Sequence, residues 1–90
     1  MEYGLIGEKL SHSYSKQIHE LLGDYSYEIK NIAPGDLPAF FEKKDFKGIN
    51  VTIPYKKAVI PFCNTLSPAA QRLGSVNTIT VDNAGRLCAD

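Results

Sequence analysis

The segment Gly48-Ile49-Asn50-Val51-Thr52-Ile53-Pro54-Tyr55-Lys56 joins an extended, β-branched run to a proline stop and a lysine-bearing turn. Residues 48–53 read as a strand. Pro54 ends it, because proline cannot donate to a strand ladder. A helix is expected from Lys56 to about Cys63, with Pro61 bending or ending it. Upstream, Pro34-Gly35-Asp36 opens a helix that sets Leu37, Phe40 and Phe41 on one side. Lys43 and Lys44 fall near its end, where the helix dipole favours cations. Before it, residues 25–32 alternate, with Tyr25, Tyr27 and Ile29 on one face and Ser26, Glu28 and Lys30 on the other, the period of a strand. Earlier still, residues 14–22 space Ile18, Leu21 and Leu22 as a helix does, with Gly23 as its stop. Residues 3–7 form a short apolar run closed by glycine, the first strand.

Downstream, Ser67 caps a helix with Pro68 at its first position, and Gly74 stops it. Residues 76–81 are a fourth strand. A turn over Asp82-Asn83-Ala84-Gly85 returns the chain through residues 86–89 as a hairpin. Strand and helix alternate three times before that hairpin. The expected fold is therefore α/β: a three-layer, mainly parallel mixed sheet with helices on both faces, in a single small domain. The hairpin adds at least one antiparallel strand.

Ninety residues fit one domain. A chain of this size buries about 60–65% of its unfolded surface, enough for one core. Ten Lys and Arg balance ten Asp and Glu, so no basic patch points to nucleic acid or an anionic membrane. Cys63 and Cys88 have no metal-ligand spacing and make no disulfide framework. Cys63 lies in an apolar stretch and reads as a small core residue. The N-terminus shows no signal-peptide pattern, and no apolar run approaches the ~20 residues that cross a bilayer. A cytoplasmic location is the expectation.

Open α/β sheets bind ligands beyond the carboxyl ends of their parallel strands. Two loops reach that edge: Ser11-His12-Ser13-Tyr14-Ser15 after the first strand, and Asn50 through Lys56 after the third. If the fourth strand is antiparallel, Asn77 and Thr78 join them. Hydroxyls and amides donate and accept, and the ammonium donates, a set suited to a small, hydroxylated, anionic molecule. Each residue alone has a plainer role. Ser13 and Ser15 sit where helix caps sit, Lys56 and Lys57 could be solvated, and Asn50 and Asn77 could be turn residues. His12 and His19 lack a third ligand, so no metal site is expected.

The order of three motifs resembles the shikimate dehydrogenase family. Ser13-Tyr14-Ser15 is similar to its serine loop, Gly48 to Lys56 to its G-x-N-V-T-x-P-x-K, and Gly74-Ser75-Val76-Asn77-Thr78 to its G-A-V-N-T. The resemblance runs along essentially the whole chain. It implies a shikimate-binding N-terminal domain over residues 1–90. Ser13, Ser15 and Thr52 would hold the substrate carboxylate, Asn50 would support the loop or reach the substrate, and Asn77 would hold a ring hydroxyl. Lys56 would be the catalytic lysine beside the hydroxyl that becomes a ketone. The implied reaction is NADP-dependent, reversible reduction of 3-dehydroshikimate to shikimate, a step toward chorismate and the aromatic amino acids.

The same resemblance puts the family's Asn-Thr-Asp, with its catalytic aspartate, immediately after Asp90, and places the NADP-binding domain outside this chain. The ninety residues alone are therefore expected to be inactive, with self-association through the surface the second domain would cover. The alternative is a standalone, non-catalytic module that binds shikimate or quinate. Glu8-Lys9-Leu10 stands where the family has Asn-Pro-Ile, and Lys16 where it has proline, which leaves the choice between shikimate and quinate open.

Overall fold

The computed structural model describes residues 3–8 and 27–90. Their strands are β1 (Tyr3–Gly7), β2 (Tyr27–Asn31), β3 (Gly48–Val51), β4 (Thr65–Leu66), β5 (Thr78–Val81) and β6 (Leu87–Ala89). The helices are α1 (Leu37–Lys43), α2 (Tyr55–Ala58) and α3 (Pro68–Leu73), with 3-10 turns at Pro34–Asp36 and Ile60–Phe62. The six strands form one mixed sheet in the order β2-β1-β3-β5-β6-β4. β1 runs parallel to both β2 and β3, and β4 parallel to β6. β5 is antiparallel to β3 and to β6. This is the mixed α/β sheet expected from the alternation of elements.

Paired residues on neighbouring strands share a face. Ile6 aligns with Val51, Ile49 with Ile79, Ile79 with Ala89, and Val81 with Leu87. These side chains carry the core. Onto them pack Leu37 and Phe41 of α1, Tyr55 of α2, Ala70 of α3, and Val59, Val76 and Phe46 from the connections. Phe41 stacks on Phe62 at 5.1 Å and meets Phe46 edge-on at 6.2 Å, so α1 is pinned by aromatic contacts. The register sets the other face with Tyr3, Leu5, Tyr27, Gly48, Asn50, Thr78, Thr80 and Cys88. The helix expected over residues 14–22 lies outside the described residues. No helix among the described residues is long and apolar enough to cross a membrane.

Several elements differ from expectation in extent. β3 stops at Val51 because Thr52 turns away, its carbonyl accepting from the Tyr55 N–H at 2.9 Å. The Ile53–Pro54 peptide in that turn is cis. The helix expected from Lys56 to Cys63 is one α-turn followed by the 3-10 turn Ile60–Phe62. Pro61 has no N–H to continue an α ladder, and Phe62 and Cys63 bond three residues back, to Val59 and Ile60. Residues 76 and 77 are not in β5, since their N–H groups bond to Lys56 and Asp90 instead of to a strand. The two-residue β4 had no sequence signal, being too short to alternate.

α3 follows its sequence signals. The Ser67 hydroxyl accepts from the Ala70 N–H at 3.1 Å, and Gly74 closes the helix at φ +66°. The β5–β6 turn is organised by Asp82. Its Oδ1 accepts from the N–H groups of Ala84 at 2.9 Å and Arg86 at 2.8 Å, and its Oδ2 from Arg86 Nε at 2.9 Å. The Arg86 backbone bond, ahead of the other contacts, holds the Asp82 carboxyl below its ordinary 3.8.

Candidate functional site

Because β1 and β3 are parallel, their carboxyl ends lie at one edge of the sheet. Antiparallel β5 begins at that same edge. Backbone hydrogen bonds then close the corner. Val51 N–H donates to the Asn77 carbonyl at 2.8 Å, Val76 N–H to the Lys56 carbonyl at 2.8 Å, and Thr52 N–H to the Ile6 carbonyl at 3.1 Å. Asn50, Thr52, Lys56 and Asn77, which the sequence spreads over 28 residues, are thereby drawn from three segments into one neighbourhood. Ser13 and Ser15 lie outside the described residues.

Each placed residue has a distinct setting. Thr52 and Lys56 are half-buried and Asn77 is exposed. Asn77 N–H and Thr78 N–H both donate to the Asp90 carbonyl, at 2.8 and 3.0 Å, and Asp90 N–H donates back to Thr78 at 2.9 Å. The end of β6 therefore runs beside Asn77. Asn50 is exposed, but its amide is tethered at both ends. Its Nδ2 donates to the Tyr27 hydroxyl at 2.7 Å, and its Oδ1 accepts from the Thr78 hydroxyl at 3.2 Å. Tyr27 entered the sequence reading only as a strand residue. Its hydroxyl, 23 positions from Asn50, has no local pattern that would reveal the contact.

The support beneath the site is apolar and buried. Tyr55, beside Lys56, is 3% exposed and donates its hydroxyl to the Ile32 carbonyl at 2.5 Å, which ties α2 to the end of β2. Burial, then the Glu8 and Asp36 carboxylates, push its phenol above its ordinary 10.0. Cys63 packs against the core, with its Sγ 3.3 Å from the Val59 carbonyl, and burial followed by the nearby Cys88 raises its thiol. Both cysteines are free. That setting makes Cys63 a packing residue rather than a nucleophile.

The edge can hydrogen-bond a small polyhydroxylated anion: two amides and a threonine hydroxyl donate and accept, and one ammonium supplies charge. Among the described residues, no group of three His, Cys, Asp or Glu could hold a metal ion. The seven glycines include no Gly-x-Gly pair, the pattern of a dinucleotide phosphate turn.

Residues 5–79 match the family model described as shikimate dehydrogenase substrate binding domain. A shikimate dehydrogenase (NADP+) of Exiguobacterium sibiricum is 41% identical over 92 aligned residues, covering 91% of this chain and 34% of that protein. The crystal structure of shikimate dehydrogenase 1 from Peptoclostridium difficile superposes with a TM-score of 0.82 at 36% identity, covering 99% of this chain and 36% of that one. A Thermus thermophilus shikimate 5-dehydrogenase in complex with shikimate gives a TM-score of 0.81 at 34% identity, with 99% and 37% covered. The chain thus spans about a third of the length of the relatives it matches.

Proposed function

The chain belongs to the shikimate dehydrogenase substrate-binding domain family, and on that premise we propose that it holds the substrate for NADP-dependent, reversible reduction of 3-dehydroshikimate to shikimate. The observation that carries the proposal is the closed corner at one sheet edge. There, the Val51–Asn77 and Lys56–Val76 backbone bonds bring Asn50, Thr52, Lys56 and Asn77 together. Thr52, with Ser13 and Ser15, takes the substrate carboxylate, and Asn77 takes a ring hydroxyl. Lys56 stands at the reacting oxygen, where an ammonium gives a proton or stabilises a developing alkoxide.

On this reading the hydride partner, NADP, is held outside these ninety residues, which match a substrate binding domain. The backbone of Asp90 is bonded to Asn77 and Thr78, so it borders the edge proposed to hold the substrate. Ile53, beside Thr52, is an apolar side chain left 78% exposed near this edge. In the isolated chain it would favour self-association, and a strictly monomeric mass by light scattering at high concentration would count against this. Two free cysteines accord with a cytoplasmic, reducing location.

The test uses the complete reading frame that carries this chain. It should oxidise shikimate with NADP, and Lys56→Ala should lower kcat by about 10²–10⁴-fold with the circular dichroism spectrum retained. Saturable shikimate binding without turnover would leave only a non-catalytic binding module. The absence of both binding and turnover would refute the substrate assignment.

A further inference from the structure

We propose that Tyr27 is a positioning residue of the substrate site, its phenol fixing the Asn50 carboxamide that the ligand meets. The proposal deepens the function proposed above and rests on it. Tyr27 belongs to β2 and Asn50 to β3, and β1 lies between them. Leu5 aligns with Ile29 on one side and with Asn50 on the other. Tyr27 therefore reaches diagonally across β1 to accept from Asn50 Nδ2 at 2.7 Å. From the opposite side, Thr78 of β5 donates to Asn50 Oδ1 at 3.2 Å.

An exposed asparagine ordinarily samples a broad χ2 range, because the amide is a terminal sp² group. Holding both ends removes that freedom before any ligand arrives. A primary amide carries two donors and two lone pairs. With one of each engaged by Tyr27 and Thr78, one N–H and one lone pair remain, pointed in set directions. Such a group recognises a ligand without a further ordering cost at binding. Tyr27 is half-buried and Thr78 is half-buried, so the two anchors are steadier than the exposed amide they hold.

The complete reading frame that carries this chain is again the test material. Tyr27→Phe keeps the ring and removes the hydroxyl. It should raise KM for shikimate about three- to tenfold, the loss expected of one hydrogen bond. It should leave kcat within about twofold and KM for NADP unchanged, the signature of lost uniform binding. In an Asn50→Ala background the same change should add nothing, because the group it positions is gone. Thr78→Val removes the second tether and should give the same KM-only pattern, which keeps the idea open to refutation if Tyr27→Phe fails to fold. An unchanged shikimate KM in either single variant, or an effect of Tyr27→Phe undiminished in the Asn50→Ala background, would overturn the assignment while the parent enzyme stays active. A parent protein that does not act on shikimate would instead sink the proposed function, and this inference with it.

Discussion

Tyr55→Phe isolates one buried hydrogen bond without changing the packing around it. Tyr55 is 3% exposed, and its hydroxyl donates to the carbonyl of Ile32, itself 3% exposed. Phenylalanine fills the same space but leaves that carbonyl without its donor, away from water. A buried acceptor left unsatisfied costs about 1–3 kcal/mol. For a domain of this size each kcal/mol lowers Tm by roughly 4–8 °C. Urea denaturation of the ninety-residue chain, followed by circular dichroism, should show the loss as a lower midpoint with the same slope. Tyr3→Phe is the control: Tyr3 is 42% exposed, and its change should stay within about 0.5 kcal/mol. Alkali gives a second reading. Burial raises the Tyr55 phenol above 10.0, so past that pH the unfolded chain loses this proton while the folded chain keeps it. The bond's contribution is full below 10.0 and is lost as pH rises through the higher folded value. Tyr55→Phe should therefore flatten the alkaline fall in stability. A loss below about 0.5 kcal/mol, matching the Tyr3 control, would refute the claim that this bond holds α2 to β2.

Ile79, fully buried at the centre of the sheet, should cost about 2–5 kcal/mol when cut to alanine, read by the same urea titration. Gly74 holds φ +66° three residues before Asn77, and Gly74→Ala should cost about 1–2 kcal/mol in thermal unfolding, because a Cβ is disfavoured in that conformation. Asp82→Asn should weaken the β5–β6 hairpin at neutral pH. Since the folded Asp82 carboxyl lies below 3.8, its contribution is present above 3.8 and fades as pH falls through the lower value, so the stability gap between wild type and variant should close in acid.

Much of this fold was legible from residues that are neighbours in the chain. Ser67, Pro68 and Gly74 set both ends of α3, because caps and stops act over three or four positions. Alternation marked β2, and the Asp82-to-Gly85 turn marked the hairpin. The motif residues around Asn50, Lys56 and Asn77 were likewise readable as a chemical set before any coordinates. Tertiary structure decided how those pieces meet. The antiparallel course of β5, which brings Asn77 to the edge reached by Lys56, depends on burying Ile49 against Ile79 on one face of the sheet. The partners of Asn50 lie 23 and 28 residues away, on strands whose register no local pattern states. Local signals arise from backbone preferences within a turn or two. Register and cross-strand contacts arise from the burial of a shared apolar face, a property of the whole sheet and of no single segment.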